Sequence, residues 1–99
     1  MKQPEASIAI QVLPKAEGEE VIRIVDEVIA YIKSTGLNTF VGPFETTVEG
    51  DYDTLMEVVK QCQIICLKAG AEAVSSYVKI VVNPKAGVWS IAQKVSKHH

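Results

Sequence analysis

Histidine is missing from the sequence until its last two residues, His98 and His99, and cysteine occurs only twice, as Cys62 and Cys66. These residues supply many general bases, nucleophiles and transition-metal ligands, so no Ser-His pair, Cys-His pair or metal-ligand spacing can be found. The terminal histidines are set aside, because they can be native or the remnant of a purification tag. A glycine-rich phosphate loop is also missing. The sequence therefore predicts a protein that is not an enzyme and holds neither a cofactor nor a metal.

Neither sign of charge dominates, because 10 Lys and Arg face 12 Asp and Glu for a net charge of −2. The charges are interspersed and form no basic stripe of the kind that releases counterions from nucleic acid. No apolar run suggests a membrane span or a secretory signal. We therefore predict a cytoplasmic domain over residues 1–99, with a C-terminal tail over residues 85–99 and neither nucleic acid nor membrane as a partner.

Hydrophobic periodicity predicts four strands and two helices. Alternation predicts strands at residues 6–13, 38–41, 45–50 and 74–82, and Pro14 is expected to end the first of them. Helical spacing predicts helices at residues 18–35 and 51–70, the second capped by Asp51 or Asp53 and closed by Gly70. A Gly42-Pro43 turn separates the second and third strands. The predicted order of elements is βαββαβ.

This order of elements predicts an α+β fold. Two right-handed crossovers and a central hairpin give a ferredoxin-like sandwich, with an antiparallel sheet in the order 4-1-3-2 and both helices on one face. The other face of the sheet remains open. The tail brings apolar side chains at Trp89, Ile91 and Val95, for which the core beneath the helices has no room. We expect them to pack on the open sheet face or on another subunit.

The two cysteines lie one helical turn apart in the second helix. Two thiols at this spacing can contact a soft metal, but no third thiol and no internal histidine completes a site. Both share the apolar stripe with Leu55, Val59 and Ala69. The pattern favours core packing over metal trafficking.

The strand at residues 45–50 is unusually polar for the middle of a sheet. Thr46, Thr47 and Glu49 are hydrogen-bonding residues at positions where aliphatic side chains are usual. If Val48 faces the helices, alternation turns Thr47 and Glu49 to the open side. Thr46 then points toward the helices, where its hydroxyl either bonds a backbone carbonyl or contacts a ligand.

Neighbouring strands can extend this polar surface. Alternation in the first strand places Ser7 and Gln11 on the open side, where either is expected to meet Thr47 or Glu49 across the ladder. Asn38 adds an amide from the second strand, and a ring for stacking is available from Tyr77, Phe44 or Trp89. A solvated sheet face and a small-ligand site both remain open. Short and stiff polar groups favour the site, because they fix a ligand at low entropic cost.

Three segments of the chain resemble the small thiamine-binding (YkoF-like) proteins. They are IQVLP at residues 10–14, VGPFETTVEG at residues 41–50, and NPKAG at residues 83–87 followed by residues 91–97. The resemblance implies a ferredoxin-like protomer that packs its sheets into homodimers or homotetramers. It also implies binding of thiamine, or of its hydroxymethylpyrimidine portion, without chemical change. Ligand-binding roles follow for Thr46, Thr47 and Glu49, whereas Ser7, Gln11 and Asn38 depend on strand geometry.

A regulatory or scaffolding module with no small-molecule ligand is the alternative function. Met56, Ile64 and Leu67 widen the apolar stripe of the second helix beyond what one core requires. Together with Trp89, they allow an oligomer whose purpose is assembly.

Overall fold

The computed structural model describes residues 3–98, so that the predicted domain boundaries at residues 1 and 99, and His99 itself, lie outside the described part. The elements follow in the order β1 (Ala6–Lys15), α1 (Glu20–Ser34), β2 (Asn38–Val41), β3 (Thr46–Gly50), α2 (Tyr52–Lys68), β4 (Ala73–Val82) and α3 (Ile91–Ser96). All strand pairs are antiparallel and the sheet order is β2-β3-β1-β4. This is the predicted order 4-1-3-2 read from the opposite edge, and the ferredoxin-like fold is confirmed.

β1 continues through Pro14 to Lys15, so the prediction that Pro14 ends the first strand is wrong. The Asn83 N–H donates to the Glu5 carbonyl, which means that odd-numbered residues of β1 bond β4. Pro14 therefore faces the other edge of β1, where the pairing with β3 has already stopped at Ile10. A proline whose missing N–H faces an unpaired edge costs no ladder hydrogen bond.

The N-terminus of α2 is capped as the sequence predicts. The Asp51 carboxylate accepts hydrogen bonds from the Thr54 N–H at 3.1 Å and from the Thr54 hydroxyl at 2.8 Å. Both hydrogen bonds hold the pKa of Asp51 below its usual value, and the one from the Thr54 backbone has the larger effect. Within residues 3–98, no helix has the length and apolar character required to cross a bilayer.

The core lies between the sheet and the two long helices. It is built from even-numbered residues of β1, from Val48 of β3, and from one face each of α1 and α2. Its most deeply buried large side chains are Ile8, Ile24, Ile32, Val48, Leu55, Val58, Cys62 and Cys66. Burial raises the pKa of Cys62 to about 12, so this thiol stays protonated and unreactive at neutral pH. The prediction that both cysteines pack in the core is confirmed.

The segment after β4 turns back over the sheet. Gly87 has φ +79° where the chain passes the N-terminal segment, and an added Cβ would lie 2.5 Å from that of Gln3. The chain then places α3 against β2 and β3 on the face that α1 and α2 leave open. Val88, whose N–H donates to the Pro4 carbonyl, and Ile91 of α3 are buried, whereas Trp89 remains 52% exposed. The predicted packing on the open sheet face is therefore confirmed for Ile91 and Val95, which line a cavity together with β2 and β3, but not for Trp89.

Candidate functional site

The open face of the sheet, which is the face not covered by α1 and α2, carries a row of polar side chains. The register places Ser7 of β1 and Asn38 of β2 on either side of Glu49 in β3. Side chains directly opposite each other in a ladder have Cβ atoms about 5 Å apart. Val48 is fully buried on the other face. The predicted orientation of Thr47 and Glu49, away from the core, is confirmed.

Glu49 is the most unusual residue of this row, because a carboxylate that is only 5% exposed needs hydrogen-bond donors. Its Oε1 accepts hydrogen bonds from the Asn38 Nδ2 and from the Ile91 N–H, both at 3.3 Å. Its Oε2 is buried and has no hydrogen-bond partner among the described residues. Buried polar atoms are nearly always satisfied in folded proteins. Glu49 Oε2 therefore lacks the hydrogen-bond partner that a buried carboxylate oxygen usually has.

A cavity of about 350 Å³ lies next to this carboxylate, between β2, β3 and α3. We call it the Glu49 pocket; it is lined by Asn38, Thr39, Phe40, Glu49, Ile91, Ala92 and Val95. Apolar walls with a few placed polar groups are typical of small-molecule sites. α3 provides one wall of this pocket and also donates the Ile91 N–H to Glu49.

A second cavity of about 250 Å³ lies on the same face, over β1 and β4. We call it the lysine pocket; its polar lining consists of Ser7, Thr47, Lys79 and Lys94. Lys79 reaches this face because it pairs with Ala9 of β1, and no motif in the sequence marks it as a site residue. Lys94 was missed because nothing in the local pattern shows where α3 packs.

Gln11 does not join the polar row. The β1–β3 ladder ends at the pair Ile10–Thr46, and Gln11 pairs only with Tyr77 of β4. The expectation that Gln11 meets Thr47 or Glu49 across the ladder is therefore wrong. β3 begins at Thr46, one residue later than predicted, because the preceding turn holds Glu45 out of the strand.

Thr46 lies on the opposite face of the sheet from Thr47 and Glu49, as alternation requires. It is buried and lines a cavity of about 400 Å³ between the ends of β1 and β3 and the side of α1. The sheet separates this cavity from both pockets of the open face. Thr46 therefore cannot contact the same small ligand as Glu49.

The aromatic residue beside Glu49 is not one of the three predicted for stacking. Phe40 lines the Glu49 pocket, whereas Tyr77, Phe44 and Trp89 line neither pocket of the open face and are largely exposed. Alternation in β2 puts Phe40 on the same face as Asn38, and this signal could have identified it. In the structure Phe40 pairs with Thr47.

The sequence and the fold are both similar to those of other proteins. The sequence model of the family described as "Thiamine-binding protein" matches residues 8–99. UPF0045 protein CPE1503 of Clostridium perfringens is 45% identical over 92 residues, covering 93% of this chain and 95% of that protein.

Two solved structures extend the comparison to the fold. A domain of unknown function, DUF77, from Bacillus cereus gives a TM-score of 0.87 at 38% identity. The aligned region covers 95% of this chain and 89% of the Bacillus cereus chain. TM0486 of Thermotoga maritima, whose name refers to thiamine biosynthesis or salvage, gives a TM-score of 0.84 at 30% identity. The aligned region covers 97% of this chain and 100% of the Thermotoga maritima chain.

Proposed function

Because this chain belongs to the thiamine-binding protein family, we propose that it binds thiamine, or the hydroxymethylpyrimidine portion of thiamine, on the open face of the sheet. The ligand is bound and released without chemical change. In this proposal the protein is cytoplasmic, because its free thiols suit a reducing compartment.

The unpartnered Oε2 of Glu49 is the observation that supports this proposal most strongly. An aminopyrimidine presents N–H donors and ring acceptors in one plane, and its amino group can donate to that oxygen. The Asn38 side chain, already bonded to Oε1, holds the carboxylate in place. Phe40 offers an aromatic surface to the ring, and the thiazolium cation is favoured near a carboxylate.

The proposed site contains Glu49, Asn38, Thr47 and Ser7. Thr47 and Ser7 extend it with two hydroxyls on the same face. Thr46 is left out because the sheet separates it from this face, and Gln11 because it lies beyond the end of the β1–β3 ladder.

Thr47→Val is expected to weaken thiamine binding by roughly 2- to 12-fold, the effect of losing one hydrogen bond. Isothermal titration calorimetry with thiamine and with hydroxymethylpyrimidine measures it. Thr46→Val is the matched control, because it makes the same change one residue away on the other face, and its affinity should equal that of the wild type.

Two results would count against the proposal. If the wild type gives no heat and no thermal shift at millimolar ligand, it binds neither compound. If Thr46→Val weakens binding and Thr47→Val does not, the ligand lies on the helix side of the sheet.

We also propose that the protomers assemble into a homodimer or a homotetramer, which would equally serve a scaffolding function without a ligand. Three consecutive apolar residues of the edge strand β4, Ile80, Val81 and Val82, are each nearly half exposed. Edge strands with exposed apolar residues are sites of association. Trp89 adds a further exposed apolar surface.

Val81→Lys is expected to shift the mass in solution toward that of one protomer, because it places a charge on this surface. Light scattering coupled to gel filtration measures the change. Ile22→Lys on α1 is the control, because Ile22 is even more exposed, at 63% against 47% for Val81. A wild type that already elutes as a single protomer refutes the assembly.

A further inference from the structure

The cavity that contains Thr46 is a narrow trough on the helix side of the sheet, bounded by residues 10–14 of β1, residues 41–46 and one side of α1. We call it the Thr46 trough. The α1 residues that line it run from Val21 to Ile32, which is about 16 Å at 1.5 Å per residue. Its volume of about 400 Å³, spread over that length, leaves a mean cross-section of about 25 Å². These dimensions suit a linear molecule better than a compact ring system.

The walls of the Thr46 trough are mainly aliphatic. Phe44 and Val41 stand at its rim, with 80% and 41% of their surface exposed. Among the described lining residues none is basic and Glu45 alone is acidic, and its carboxylate accepts a hydrogen bond from Lys79. The lining from α1 consists of Val21, Val25, Val28, Ile29 and Ile32. An apolar ligand without negative charge matches such walls.

Two polar groups lie at the end of the trough next to β3. Thr46 is only 7% exposed, and its hydroxyl takes part in no hydrogen bond found within residues 3–98. Unlike Glu49 Oε2, this hydroxyl is not sealed inside the protein, so a molecule in the trough can reach it. Val12 lies two residues beyond Ile10, the partner of Thr46, and its N–H faces the edge of β1 that β3 has left. Both groups can donate to oxygen atoms of a ligand.

A peptide strand is a poor match for this edge of β1. Extended peptides bind to sheets by adding a ladder of backbone hydrogen bonds. Pro14, the next residue after Val12 to face the same edge, has no N–H to contribute to a ladder. Prolines on edge strands are one of the means by which proteins prevent strand addition. One backbone N–H and one hydroxyl match a molecule with a single polar end.

We propose that the Thr46 trough binds a linear aliphatic molecule with an uncharged, oxygen-bearing end, of the class of the medium-chain alcohols. The chain lies along α1, and the oxygen at its end accepts hydrogen bonds from the Thr46 hydroxyl and the Val12 N–H. This second site is independent of the proposed thiamine site, because the sheet separates the two. It gives a role to Thr46, which the proposed function leaves out.

Isothermal titration calorimetry with hexan-1-ol, octan-1-ol and octanoate tests the proposal on the full-length protein. Octan-1-ol should bind about 15-fold more tightly than hexan-1-ol, because each buried methylene contributes about fourfold. Octanoate has the same number of carbon atoms but ends in a carboxylate. It should bind at least about tenfold more weakly than octan-1-ol, because the trough offers no cation to a desolvated charge.

Thr46→Val is expected to weaken the binding of octan-1-ol by roughly 2- to 12-fold, the effect of losing one hydrogen bond. Thr47→Val is the matched control, because it makes the same change on the open face and should leave this affinity unchanged. For thiamine the two variants exchange roles, since only Thr47→Val is expected to weaken its binding. Opposite effects on two ligands cannot come from misfolding.

Val25→Phe fills the trough from α1 and tests the position of the chain. It should reduce the affinity for octan-1-ol about tenfold or more and leave that for thiamine within about twofold. Ile22→Phe is the control on the same helix, because Ile22 is 63% exposed and does not line the trough, and it should change neither affinity. Circular dichroism verifies that both variants are folded.

Several results would overturn the inference. Octan-1-ol fails to bind, octanoate binds as tightly as octan-1-ol, or affinity does not rise with chain length. If folded Val25→Phe or Thr46→Val binds octan-1-ol as the wild type does, the chain binds elsewhere on the protein. Thiamine is titrated into the same preparations, so the proposed function stands or fails by a separate measurement.

Discussion

Glu49→Gln is expected to weaken thiamine binding by roughly 10- to 150-fold, because it removes the charge from the hydrogen bond at the free Oε2. The same substitution should leave the free energy of unfolding unchanged or raise it. A buried carboxylate with one unpartnered oxygen is costly, and glutamine occupies the same space without the charge. Its amide oxygen can still accept the hydrogen bonds of the Asn38 side chain and the Ile91 N–H.

Calorimetry and urea unfolding on the same preparations measure the two effects. Glu45→Gln is the matched control, because it also neutralises a carboxylate on this side of the sheet. The Glu45 carboxylate contacts Lys79 and does not line the Glu49 pocket. Its affinity for thiamine should equal that of the wild type. A large loss of stability in Glu49→Gln, with unchanged affinity, would instead make Glu49 a structural residue that fixes α3 to the sheet.

Leu55→Ala is expected to lower the free energy of unfolding by about 2–5 kcal/mol, the range found for leucine-to-alanine changes in packed cores. Leu55 is fully buried between α2 and the sheet, so the substitution leaves a cavity that its neighbours fill only in part. Leu67→Ala is the matched control on the same helix. Leu67 is 49% exposed, and its truncation should cost no more than about 1 kcal/mol.

Urea unfolding followed by circular dichroism compares the two variants. Protein concentration has to be the same throughout, because dissociation of an oligomer contributes to the measured stability. Equal losses for Leu55→Ala and Leu67→Ala would mean that α2 is covered on both sides, as in an assembly that buries Leu67.

The fold could be predicted from the sequence because each element has a local signal. In β1, the aliphatic residues Ile8 and Ile10 alternate with Ser7 and Ala9, and this period of two indicates both the strand and its buried side. The same period in β3 predicts that Thr47 and Glu49 point to the opposite face from Val48. Alternation is local because successive side chains of a strand point to opposite faces whatever the strand packs against.

Pro14 and Gln11 show where local signals stop. Whether a proline ends a strand depends on which edge its missing N–H faces, and the register of the neighbouring strands decides that. Whether Gln11 meets β3 depends on where the ladder ends. Register and ladder length are properties of paired strands, so neither is contained in one of them.

The βαββαβ order, the orientation of Glu49 and the burial of Cys62 and Cys66 follow from local patterns in the chain, because period and spacing fix these within a single element. By contrast, the packing of α3 over Glu49 and the position of Lys94 beside Lys79 depend on contacts between distant parts of the chain. α3 is six residues long and its position comes from packing on a distant strand. The Ile91 N–H and the Glu49 carboxylate, 42 residues apart in the chain, are brought together by that packing and by no local preference.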